Sequence, residues 1–137
     1  MNVQKSLYRT LLRLGVNMIR PSDYVVSKAD HHPDLVFGFL EQEGHSMYIL
    51  LANYLIEDHK ALPEPEVVLK VSPADRKATV FTCEWPNNKE VSSTALDRRV
   101  KTWLEKQVSY GHNFLGLSPV KKDRHAVALR VIKGRVQ

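Results

Sequence analysis

Apolar residues recur at three- and four-residue intervals through Val3, Leu7, Leu11, Leu14 and Met18, while Lys5, Arg9 and Arg13 climb another face. That period predicts an amphipathic helix ending between Asn17 and Pro21. The pattern then changes. "DLVFGFLEQ" and "SMYILLANYLIED" are apolar runs on either side of "EGH", and they read as a hairpin with Gly44 supplying the permissive turn. The second run fits two templates, because Met47, Leu50, Leu51, Tyr54 and Leu55 also share one helical face. Its Tyr and Ile content and its short neighbours favour a buried strand. After its prolines "LPEPEVVLKV" begins another strand, "SPADRK" supplies a turn and "ATVFTCEW" returns. Two hairpins in succession predict an antiparallel meander.

The stripe Leu96, Val100, Trp103, Leu104 and Val108 predicts a second helix from Ala95 to Tyr110. Thr94 and Asp97 resemble a capping pair at its start, and Gly111 can end it in a left-handed conformation. "NFLGLSP" reads as a loop, and "HAVALRVIKG" as a final edge strand or a tail that orders on contact. The expected fold is α+β: a four- or five-stranded antiparallel meander with an N-terminal and a C-terminal helix packed on one face.

A length of 137 residues suits one domain, with 112–137 as an edge strand or less ordered basic tail. The composition, 43% hydrophobic and 26% charged, is that of a globular protein. No apolar run approaches the roughly 20 residues of a membrane-spanning helix, and the charged, periodic N-terminus is unlike a secretory signal, so a cytoplasmic location is expected. Cys83 is the single cysteine, which excludes an internal disulfide and a multi-thiolate zinc site. Its apolar surroundings suit a buried hydrophobe.

Candidate chemistry is sparse. "ADHHPDL" places His31 and His32 together between Asp30 and Asp34, but adjacent side chains on an extended segment diverge, so the stretch reads as a connector into the next strand. His45, His59, His112 and His125 fall at predicted turns or element ends, so no metal site is expected. The glycines form no phosphate-binding loop. Glu64 and Glu66 alternate as an acid/base pair would, yet their prolines suit an exposed strand entry. No nucleophile elbow is present, and no catalytic residue or cofactor is assigned.

The run "YILLANYLIEDHKALPEPEVVLKV", a second hairpin strand and "LDRRVKTWLEKQ" together resemble a family of small bacterial, plasmid and phage-borne domains of unknown function. In that family a strand ending in an Ala-His-Tyr-like triplet leads through a polar turn to an Asp-Pro-Glu-like step and a further strand. Ala52, Asn53, Tyr54 and then Glu64, Pro65, Glu66 match these features, and Trp103 with Leu104 matches the closing Trp-Leu helix, over residues 34–107. Asn53 stands at the His position. The resemblance implies a strand for Ser46 to Asp58 and a mobile-element setting, and carries no activity.

Charge is distributed unevenly. Residues 98–137 hold ten Lys or Arg against two acids, residues 1–97 hold ten against thirteen, and the first 22 residues have four bases and no acid. Basic ends around an acidic middle suit a polyanion-binding surface, because neutralising phosphates releases counterions. The candidate contacts are Arg98, Arg99, Lys101, Lys121, Lys122, Arg124, Arg130, Lys133 and Arg135. Arg98 points away from the apolar stripe of its helix, Arg99 and Lys106 flank one side and Lys101 the other, so no single patch is expected there. Trp85 and Trp103 read as core residues, without an aromatic ladder for bases. The favoured function is a non-enzymatic mobile-element accessory protein docking on nucleic acid or a host nucleoprotein machine, with inhibition of that machine as one form of the role. An acidic protein partner would use the same charges. The alternatives are a small enzyme with a site assembled from scattered residues such as His59, Glu64 and Glu66, or a structural subunit of a homo-oligomer.

Overall fold

The computed structural model describes residues 2–16, 24–57, 60–86 and 88–117. In chain order the elements are α1 (Val3–Arg13), β1 (Tyr24–Ala29), β2 (His32–Glu43), β3 (Ser46–Glu57), β4 (Lys60–Ser72), β5 (Lys77–Trp85), β6 (Asn88–Val91) and α2 (Thr94–Ser109). The strands pair antiparallel in sequence order as one six-stranded meander. The class is the α+β expected; the strand count is larger, because β1 and β6 each extend an edge. The run "SMYILLANYLIE" is strand β3, central in the sheet. The predicted final strand in "HAVALRVIKG" lies outside the described residues.

Alternation divides the sheet into two faces. One carries Val25, Leu35, Phe37, Phe39, Ile49, Leu51, Val67, Leu69, Val71 and Val80, which bury against Leu7, Leu11 and Leu14 of the α1 segment and Leu96, Val100 and Leu104 of α2. Each fully buried Leu or Val contributes about 1.5–3 kcal/mol, so both helices are held mainly by their apolar stripes. The other face gathers Tyr24, Val36, Leu50 and Ala52. Cys83 lies in the helix-covered core, where burial, then the charge of Glu90, pushes its thiol up to about 11.

Turn chemistry fixes the register. Gly44 has φ +60° in the two-residue turn between β2 and β3, as expected. Asp30 and His31 form an equally tight turn between β1 and β2, with His31 at φ +65°; His32 to Asp34 already belong to the strand rather than to a loop. A bulge at Pro33–Asp34 suits a residue that cannot donate to a ladder. Pro65 sits in a second bulge, where Asn53 faces the Glu64–Pro65 step. The two motifs that carry the family resemblance therefore lie opposite each other across the β3–β4 ladder.

The helix ends depart from expectation. α1 stops at Arg13 rather than between Asn17 and Pro21, because Gly15 takes φ +76° and the chain turns away. The Leu14 carbonyl accepts from Phe114 N–H at 2.8 Å, which ties the end of α1 to the loop after α2. Ser93, not Thr94, caps α2, its Oγ accepting from Leu96 N–H at 3.1 Å. Asp97 turns instead toward the sheet. Its carboxylate accepts from Val80 N–H at 2.8 Å and from Thr79 Oγ, satisfying a donor on the part of β5 that β6 does not reach.

Candidate nucleic-acid interface

Charge follows layer. The two helices carry seven Lys or Arg against two acids, one of them the buried Asp97, whereas the six strands carry five against eight. The helical stripes that bury Leu and Val leave the basic residues outward: Lys5, Arg9 and Arg13 on α1, and Arg98, Arg99 and Lys106 on α2, are all exposed. Among the described residues the helix layer is therefore the cationic side.

Within that layer a groove of about 570 Å³ runs beside α2, lined by Trp85, Arg98, Arg99, Thr102, Trp103 and Lys106. Positions 98, 99, 102, 103 and 106 share one helical face at three- and four-residue spacing. Trp85 arrives from the end of β5, where the short β5–β6 hairpin brings it beside the helix. Of the proposed contact residues, the structure thus brings Arg98 and Arg99 together and adds Lys106, so Arg98, expected to point away from the side that Arg99 and Lys106 flank, shares their surface. Lys101 faces elsewhere and pairs with Glu105 at 3.3 Å. Lys121, Lys122, Arg124, Arg130, Lys133 and Arg135 lie outside the described residues.

Both indoles are held by their N–H groups. Trp85 Nε1 donates to Glu90 Oε2 at 3.0 Å, and Trp103 Nε1 donates to Asn53 Oδ1 at 3.0 Å. Asn53 in turn donates to the Asp34 carbonyl at 2.9 Å and to Gln107 Oε1 at 3.3 Å, a buried network spanning β2, β3 and α2. Glu90 also pairs with Arg99, and that hydrogen bond, followed by the one from Trp85, holds its carboxyl below the usual carboxylate range. The tryptophans are half-buried rather than the core residues expected. They pack against the core and also wall the groove. Among the described residues, Arg98 and Lys106 have no carboxylate partner.

The histidines and carboxylates give no comparable site. His112 is buried between Ser27 Oγ on Nδ1 and the Pro33 carbonyl on Nε2, both at 2.9 Å. A carbonyl only accepts, so Nε2 carries the proton and Nδ1 accepts from Ser27, whose oxygen also receives Asn113 N–H at 3.1 Å. Ser27 is only 2% exposed, so this Ser–His pair is closed to a substrate and its role is to join β1, β2 and the segment after α2. Burial lowers the pKa of His112. His32 stacks on Tyr110 with centroids 3.7 Å apart, and among the described residues no group of three His, Cys, Asp or Glu is placed to hold a metal. Glu64 is exposed, Glu66 accepts from Tyr54 Oη at 3.1 Å, neither lines the groove, and His59 lies outside the described residues. No helix among the described residues is long and apolar enough to cross a membrane. Comparison of the chain with models of protein families, with curated proteins and with solved structures finds no match.

Proposed function

We propose that this protein is a non-enzymatic nucleic-acid-docking protein that presents its helix layer to the phosphate backbone. The observation that carries the reading is the segregation of charge: basic helices over an acidic sheet, with Arg98 and Lys106 unneutralised among the described residues. Like charges on one side of a small domain raise the local counterion concentration, and displacing phosphate counterions gives affinity that depends on salt rather than on sequence. The mobile-element accessory role implied by the family resemblance is the setting in which such docking would act.

The test is binding of a labelled duplex and a labelled single strand by fluorescence anisotropy at about 50 and about 200 mM salt. Affinity is expected to fall with salt, with a logarithmic slope of roughly −2 to −3. The double substitution Arg98→Glu and Lys106→Glu should abolish most of it, while Lys70→Glu with Lys77→Glu on the sheet should not. Binding that is absent at low salt, or indifferent to the helix charges, would overturn the reading.

A further inference from the structure

The groove beside α2 offers more than charge. Its two indoles are the only tryptophans in the chain, and the N–H of each is committed to a protein acceptor. Each ring is thereby fixed at its polar edge, and what it lends the groove is apolar π surface. A hydrogen-bonding readout by these indoles is closed off; stacking remains.

The surrounding charges complete the chemistry. Arg98 and Lys106 lie eight residues apart on α2, two turns of one helical face, and Thr102 between them donates its hydroxyl to the Arg98 carbonyl at 3.2 Å, which leaves the anion contacts of this face to the two cations. Arg99 is held by Glu90, so it braces the Trp85 wall while Arg98 and Lys106 are left to meet anions. Aromatic surface inside a cationic groove is the combination that binds unpaired nucleotides, with rings taking bases and side chains tracking phosphates. A base within a duplex already has both faces stacked, so it cannot use such a wall. The carboxylates of an acidic peptide could match the charge but bring no ring to stack on the indoles.

We infer that this groove is a binding site for single-stranded nucleic acid, in which unpaired bases stack on Trp85 and Trp103 and the adjoining phosphates lie on Arg98 and Lys106. The inference rests on the nucleic-acid-docking reading above and adds to it the strandedness of the ligand and the surface that selects it. Recognition here is tolerant of sequence, because every base has a π face and neither indole N–H is available to discriminate.

Intrinsic fluorescence reads the site directly, since both fluorophores line it. The full chain is titrated at low salt with oligothymidylate and oligouridylate of about 15 nucleotides, a duplex of the same length, polyphosphate and polyglutamate. The expected result is quenching of tryptophan emission by the single strands, with binding at least tenfold tighter than to the duplex, polyphosphate or polyglutamate. The two single strands distinguish DNA from RNA. Trp85→Leu, checked for native circular dichroism, should weaken single-strand binding about tenfold to a hundredfold and leave duplex binding unchanged. Equal binding of single strand, duplex and polyphosphate without quenching would overturn the inference and leave general docking standing. Preferential binding of polyglutamate, or no binding of any ligand, would overturn both. The quenching measurement needs no variant, so a Trp85→Leu protein that failed to fold would not rescue the claim.

Discussion

Trp103 reaches from α2 to β3 and places its indole N–H 3.0 Å from Asn53 Oδ1, a contact between residues 50 apart in the chain. Asn53 is 5% exposed and uses its amide nitrogen as well, on the Asp34 carbonyl and Gln107 Oε1. Truncation to Asn53→Ala would leave an indole N–H, a carbonyl and a glutamine oxygen without that partner. The expected loss is about 2–4 kcal/mol in urea denaturation. A double-mutant cycle with Trp103→Phe should return a coupling of about 0.5–3 kcal/mol. Additive effects would show that the contact is incidental.

Asp97 supplies the acceptor for the Val80 N–H on the section of β5 that β6 does not reach. Asp97→Ala should cost about 2–3 kcal/mol and speed hydrogen exchange at the Val80 amide specifically. Asp97→Asn retains an acceptor oxygen and should recover most of the protection, which separates the hydrogen bond from the charge.

Gly38 lies under the ring of Tyr24, its partner across the β1–β2 ladder, and a Cβ at this position would collide with the ring. In an open strand Gly→Ala usually stabilises, because glycine has more conformational freedom to lose. Here the sign reverses: Gly38→Ala should destabilise by about 1–3 kcal/mol, read as a lowered denaturation midpoint. A stabilised variant would mean that Tyr24 moves aside at no cost.

Burial depresses the pKa of His112, while the Pro33 carbonyl and the charge of Asp34 oppose the shift and His32 adds to it. A depressed histidine is neutral in the fold at pH values where the unfolded chain already binds a proton. Its contribution is therefore fully present above the unfolded pKa of about 6.5 and is lost as pH falls toward the folded value. Thermal melts below pH 6.5 should show stability declining, and His112→Gln should flatten that decline relative to the wild type. An unchanged slope would show that His112 does not carry the acid sensitivity.

What was legible in the sequence was what is written locally. The apolar stripes of both helices, the Gly44 turn, the turn around residues 73–76 and the alternation of the central strands depend on neighbours a few residues away. Edge strands obey no such rule. β1 has a buried serine in its inward face, Ser27, that makes sense only once His112 is beside it, and β6 has one apolar residue, Val91, 70% exposed. Asn88–Val91 pairs with β5, while Glu90 links Trp85 and Arg99, a connection that no period in "NNKEV" announces.

The candidate site divides in the same way. Helical spacing already places residues 98, 99, 102, 103 and 106 on one face, so half the groove was available to a reader who followed the polar stripe as closely as the apolar one. The other half was not. Trp85 comes from a different element, and the turning of both indole N–H groups away from the groove depends on Glu90 and Asn53. By itself the sequence determined the class of fold, the faces of its helices and the imbalance of charge, since period and turn propensity act over a few residues. Only the tertiary structure decided that Trp85 joins Trp103 beside those cations and that both indole N–H groups are taken by protein acceptors, because hydrogen bonds between residues as far apart as Asn53 and Trp103 form when the sheet and the helices meet.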